Sequence, residues 1–146
     1  MEQLPIAVYY EHPEWFRPLF AELDRRSIQY VRIDAGCHGY DPTAADSNYA
    51  LLVNRMSASA YLRGNVQGIF FTRDYLAHLE SIGTRVINGC KAFSFEISKA
   101  AQLALLHALG LATPRSRIVN CAIEAISAAE EIGFPAPVRK ERRVHL

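Results

Sequence analysis

Short apolar runs, separated by stretches with helical spacing, decide what this chain can fold into. Ile6-Ala7-Val8-Tyr9-Tyr10 follows Pro5 and reads as a buried strand; Tyr30-Val31-Arg32-Ile33, Leu51-Leu52-Val53 and Arg85-Val86-Ile87 repeat the signal. Between the first two runs, Trp15, Phe16, Leu19, Phe20 and Leu23 fall on one helical face, and Pro13 suits a first turn. Pro18 predicts a restart or kink near the beginning of that helix, because it removes a backbone donor. Ala35 to Asn48, with Gly36, Gly39 and Pro42, reads as a loop. From Ser57 a helical pattern runs in two pieces, interrupted around Gly64-Asn65 and Gly68. It continues through Tyr75, Leu76, Leu79 and Ile82, with Gly83 placed to end it. Strands alternating with helices of this length predict an α/β fold with a parallel sheet and right-handed crossovers over residues 5–88.

After Asn88-Gly89 the pattern changes. Ser94 can cap a helix carrying Ile97, Ala100, Ala101, Ala104, Leu105 and Ala108, and Gly110 can end it. Arg117-Ile118-Val119 reads as a short strand, and Asn120 can cap a helix through Ile123, Ile126 and Ile132. Gly133-Phe134-Pro135 ends that helix, and Ala136-Pro137-Val138 starts an extended segment. The expected division is a first domain over 1–89 and the beginning of a second, incomplete one over 90–146.

Composition narrows the function classes. Half of the 146 residues are apolar and a fifth charged, as in a globular protein, and the net charge of +1 argues against a dedicated nucleic-acid binder. No apolar stretch approaches the roughly 20 residues that span a bilayer. The start, Met1-Glu2-Gln3-Leu4-Pro5, shows no signal peptide, so a cytoplasmic location is expected. Cys37, Cys90 and Cys121 are odd in number and far apart, which yields no disulfide framework or zinc spacing. The five histidines do not pair at metal-ligand spacing either, and no Gly-x-Ser-x-Gly elbow exists, so no catalytic and no metal-ligating residue is assigned. Arg139, Lys140, Arg142 and Arg143 form a basic cluster that reads as an exposed tail, with a phosphate-binding patch as the alternative.

A dinucleotide site needs close glycines between first strand and first helix, so that backbone can approach the pyrophosphate. That turn is Tyr10-Glu11-His12-Pro13 here, without a glycine, and no Walker lysine motif is present. Asp34 stands where such folds hold a ribose, a weak signal on its own. Two cations stand out by position. Arg55, in Asn54-Arg55-Met56-Ser57-Ala58-Ser59 after the third strand, can hold a carboxylate or phosphate bidentately, or belong to a solvated loop. Lys99, in the first turns of a helix, can reach into a cleft or remain an exposed helix lysine.

The order of motifs resembles the ATP-grasp ligases of the RimK-type and glutathione-synthetase kind. Arg55-Met56-Ser57-Ala58-Ser59 is similar to their Arg-x-Ser-x-Ser segment, and Val86-Ile87-Asn88-Gly89 to the strand that follows. Ser98-Lys99 stands in place of an Asp-Lys pair. Leu105-Leu106-His107-Ala108-Leu109-Gly110-Leu111-Ala112-Thr113-Pro114 resembles the next helix and turn, and Ile132-Gly133-Phe134-Pro135-Ala136-Pro137-Val138-Arg139-Lys140 a Gly-Phe-Pro segment leading to a lysine. The resemblance implies a Rossmann-like domain followed by the truncated start of an ATP-grasp α+β subdomain. It implies ATP and magnesium as cofactors of the intact family, and a carboxylate and an amine, small-molecule or peptide, as substrates joined through an acyl phosphate. Lys99, Arg139 and Lys140 would face ATP phosphates, with Arg139 in the place of the family's lysine and Lys140 one residue on. Arg55 and Ser57 would shape the substrate side. The family's glycine-rich flap, adenine hinge and magnesium ligands lie further along than Leu146, so the expectation is a ligase fragment, inactive alone. Its later helices would either fold back on the first domain or leave uncovered apolar faces through which copies self-associate. The alternative is a non-catalytic Rossmann-like binding or interaction module.

Overall fold

A computed structural model describes residues 4–135 and 137. The four expected strands form one parallel sheet: β1 (Ile6–Tyr10), β2 (Tyr30–Asp34), β3 (Leu51–Arg55) and β4 (Val86–Ile87), in the order β2-β1-β3-β4. All five residues of β1 have a partner on both sides, from Ile6 opposite Tyr30 and Leu51 to Tyr10 opposite Asp34 and Arg55. The chain separates into two compact units, the first ending at Ile97 and the second starting at Ser98.

In the first unit, alternation along β1 sends residues to two different covers. Val8 faces α1 (Arg17–Arg25) and packs with Phe16 and Phe20, flanked by Tyr10, Leu23 and Tyr30. A 3-10 turn over Pro13–Phe16 precedes α1, and Pro18 lies in the first turn of α1, where its missing N–H needs no partner. The restart expected at that proline is therefore present. Ala7 and Tyr9 face the other way, into a core with Leu52 of β3, with Tyr75, Leu76 and Leu79 of α2 (Val66–Ser81) and with Phe93 of α3 (Cys90–Glu96). The Tyr9 and Thr72 hydroxyls, both buried, meet at 2.9 Å and so satisfy each other.

No helix links β2 to β3. The loop over 35–50 covers the sheet with rings instead: Tyr40 lies 5.0 Å from Tyr75 and 5.5 Å from Phe71, and His38 lies 4.7 Å from Tyr75. At the start of α3, the Cys90 N–H donates to Glu80 Oε1 (2.9 Å), and a Cβ at Gly89 would overlap that oxygen.

The single helix expected from Ser94 to Gly110 is two helices, α3 and α4 (Lys99–Ala108). Ser98 breaks them, because its extended backbone and its Oγ, which accepts the Ala101 N–H at 3.2 Å, make it the N-cap of α4. Ser94 lies inside α3 and donates to the Cys90 carbonyl. Helix α5 (Ala122–Ile132) is capped at Cys121 rather than Asn120. Arg117-Ile118-Val119 is not a strand; among the described residues it has no strand to pair with. Arg117 instead donates to the Glu131 carboxylate (Nε to Oε2, 2.7 Å) and Arg115 to the Glu131 carbonyl. No residue of α4 or α5 is buried, and Ile123 is 78% and Ile126 68% exposed. The extended segment expected at 136–138, apart from Pro137, lies outside the described residues.

The loop's contribution should be pH-dependent. Burial among Tyr9, Phe71 and Tyr75 pushes the His38 pKa below its ordinary value of 6.5. The unfolded chain then binds the proton more readily, so His38 stabilises the fold above about pH 6.5 and ceases to as pH falls through the folded value. The melting temperature should drop further between about pH 7 and about pH 5 in the wild type than in His38→Phe. Equal drops, followed by thermal denaturation, would show that His38 has no such role.

Candidate functional site

Because the strands are parallel, their C-terminal ends share one edge. The chain leaves β1 for β2 on one side and returns past it to β3 on the other, so the β1 and β3 ends flank the point where strand order reverses. Open α/β sheets bind ligands in the crevice at such a point.

The β1 turn contributes Glu11 and His12. Glu11 is joined to Arg63, at the end of the 3-10 turn Ala58–Arg63, through Nε to both carboxylate oxygens (2.8 and 3.0 Å) and Nη2 to Oε2 (2.5 Å). The Glu11 side chain is only 7% exposed, so this ion pair is shielded on one side, and the carboxylate raises the Arg63 pKa further above its usual value. Arg63 Nη1 also donates to Ser59 Oγ at 3.4 Å, and its guanidinium lies 5.4 Å from the Trp15 ring centre. Trp15 is 61% exposed and stacks on His12 at 4.3 Å.

The β3 end contributes Asn54 to Ser59. Asn54 is buried, and its side chain donates to the Asn88 carbonyl at 2.9 Å while its Oδ1 accepts the Met56 N–H at 3.0 Å. Asn88, after β4, returns a bond from its own amide to the Asn54 carbonyl at 3.2 Å and holds a left-handed φ of 55°. Arg55 is exposed, with its guanidinium 5.4 Å from the Phe16 ring centre and no hydrogen bond or ion pair among the described residues. Ser57 caps the 3-10 turn: its Oγ accepts the Ser59 N–H (3.1 Å) and lies 2.8 Å from Ser59 Oγ. Asp34, at the β2 end, accepts the Gly36 N–H at 2.8 Å.

Arg55 and Ser57 are thus together at the switch point. Lys99 is in the second unit, at the start of α4, and donates to Gln102 Oε1 at 2.8 Å. Arg139 and Lys140 lie outside the described residues. Glu11 and Arg63 were not singled out by the sequence. They are 52 positions apart, and their only local trace is a charged residue where a glycine loop would stand. Among the described residues no three His, Cys, Asp or Glu side chains are grouped to hold a metal ion. No helix among them is long and apolar enough to cross a membrane.

No family model and no curated protein matches the chain. Among solved structures it is similar to the ATP-grasp ligase PsnB complexed with minimal precursor, with a TM-score of 0.56 and 20% identity over 90% of this chain and 51% of that one. It is likewise similar to PsnB complexed with the precursor peptide PsnA2 and AMPPNP, with a TM-score of 0.54 and 19% identity over 95% of this chain and 57% of that one. The fold is therefore one that ATP-grasp ligases contain, and the chain spans about half the length of these structures.

The Asn54–Asn88 pair should be a large local contribution to stability at this edge. Asn54→Ala would leave the Asn88 carbonyl and the Met56 N–H without their partner, at about 1–3 kcal/mol for each orphaned group. Urea denaturation measures this directly, and a loss below about 0.5 kcal/mol would mean that water replaces both bonds.

Proposed function

We propose that this chain is part of an ATP-dependent ligase that joins a carboxylate to an amine through an acyl phosphate. In this reading, residues 1–89 are the Rossmann-like domain ahead of the ATP-grasp clamp, and residues 90–146 open the clamp. The observation that carries it is the coincidence of the PsnB-like fold with an Arg-x-Ser-x-Ser segment, Arg55–Ser59, at the switch point of the sheet. The RimK-type group, with glutathione-synthetase-like ligases beside it, fits the motif order best. A cytoplasmic setting belongs to the same reading.

Arg55 and Ser57 take the substrate side. A guanidinium with no hydrogen bond or ion pair among the described residues, and a hydroxyl two residues on, suit a carboxylate, as a fork of N–H donors matches its two oxygens. The PsnB structures hold a precursor peptide, which supports a peptide carboxylate as the substrate class here. Lys99, with Arg139 and Lys140, takes the ATP phosphates; ATP would supply the phosphoryl group and the positioned cations would offset its charge. Magnesium belongs to the intact enzyme, and no role assigned to these residues runs through it. The pure chain should show no magnesium-dependent ATP turnover. Turnover that Lys99→Ala abolishes would contradict that expectation.

One observation favours a second reading, a non-catalytic interaction module: no residue of α4 or α5 is buried, and Leu105, Leu106, Ile123 and Ile126 are exposed.

A chimera separates the two. Residues 1–146 would replace the equivalent part of a peptide ATP-grasp ligase, and hydroxylamine would trap any acyl phosphate as a hydroxamate. Carboxylate-dependent hydroxamate and ADP are expected, reduced about tenfold or more by Lys99→Ala. A folded chimera that yields neither product would overturn the ligase reading.

A further inference from the structure

The bond polarity at the switch point suggests a task for the Glu11–Arg63 ion pair. Arg63 has only donors, so Ser59 Oγ must accept from it. The 3.4 Å separation makes this a weak bond, but a cationic donor on Ser59 Oγ makes the Ser59 O–H a better donor in turn. Its neighbour at 2.8 Å is Ser57 Oγ, which already accepts the Ser59 N–H. When Ser59 is the donor of that pair, both acceptor positions of Ser57 Oγ are filled from Ser59, and the Ser57 O–H is left for another acceptor. Two residues earlier Arg55 presents a guanidinium with no hydrogen bond or ion pair among the described residues. A hydroxyl free to donate and a guanidinium, two residues apart at the end of β3, supply the donors that an oxyanion needs. Glu11 sets the other end of the relay. Its two oxygens take Nε and Nη2 of Arg63, which fixes the guanidinium plane and leaves Nη1 for Ser59. The carboxylate also places a negative charge in the β1 turn, where a dinucleotide fold would receive phosphate.

We infer that Glu11 and Arg63 are positioning residues that act through Ser59 to leave the Ser57 hydroxyl free to donate, so that Ser57 and Arg55 together receive a substrate carboxylate. This rests on the proposed role of Arg55 and Ser57 and adds the parts that orient them. It requires no ATP, so it can fail while the hydroxamate assay succeeds, or hold while that assay fails.

The test is an NMR titration of the full 146-residue chain with glutarate, a plain dicarboxylate probe, run beside inorganic phosphate. Saturable shifts are expected at Arg55, Met56, Ser57 and Ser59, with phosphate causing none in the Glu11 to His12 turn. Arg55→Ala should remove the glutarate response. Ser57→Ala and Arg63→Lys should each weaken binding about threefold to tenfold, the weight of one hydrogen bond. The decisive measurement is the double variant: if Arg63 works through Ser57, Ser57→Ala with Arg63→Lys should be no weaker than Ser57→Ala alone. A merely structural ion pair would lower the melting temperature and give additive losses of affinity, which would overturn the inference. Absence of any glutarate response in the wild type would overturn it as well. Should Arg63→Lys not fold, Ser59→Ala breaks the relay without touching the ion pair. It must show the same loss and the same non-additivity, and unchanged affinity in that variant would sink the idea.

Discussion

Each of the five residues Ile6–Tyr10 is paired on both sides, since β2 and β3 pair with the same five residues. A buried peptide group left without a partner costs as much as a lost hydrogen bond, so this strand cannot slip or fray without unpairing both neighbours. Ala7, Val8 and Tyr9 are at most 2% exposed, and their alternation hands one side chain to the α1 cluster and two to the larger core under α2. Two hydrophobic clusters thus rest on one strand. The parallel pairing in register also brings Tyr10, Asp34 and Arg55 to the same level, and so brings the turns that follow them to one edge. The candidate site is a by-product of that alignment.

How much of this was legible in the sequence follows from how local each cause is. The four strands announce themselves as apolar runs, and Pro18 and Gly83 act through their own backbones, so those features could be read directly. The break between α3 and α4 is local too, yet two serines four residues apart compete for the cap. What decides is which one has extended backbone, Ser98, and this depends on where α3 ends. Arg117-Ile118-Val119 has strand-like residues, but a strand exists only with a neighbour, and composition cannot supply one. At the site, Arg55 and Ser57 belong to one continuous motif and could be named. Glu11 and Arg63 meet only because β1 and β3 are adjacent, and Tyr40 covers the sheet only because no helix links β2 to β3.

The two units differ in how their apolar residues are used. In the first, Tyr75, Leu76 and Leu79 of α2 are buried against Ala7, Tyr9 and Leu52 of the sheet, together with the polar pair Tyr9–Thr72. In the second, Leu105, Leu106, Ile123 and Ile126 of α4 and α5 are exposed, and Arg117 is paired with Glu131. Burial of apolar area is the main source of folding free energy, at about 25 cal/mol per Å². The first unit therefore has its own source of stability, whereas the second draws little from its own described residues.

The crowding at Gly89 has a consequence for sequence change. Glu80 and Gly89 belong to different elements, yet the carboxylate of one fills the volume that any side chain on the other would need. While Glu80 bonds the Cys90 N–H, position 89 can hold only glycine unless the acid moves. Once a shorter residue replaces Glu80, that restriction lifts, and the exposed N–H must find another partner. A side chain at position 89 would therefore displace the flexible end of Glu80, and its cost would be the lost bond to the Cys90 N–H rather than a rebuilt core.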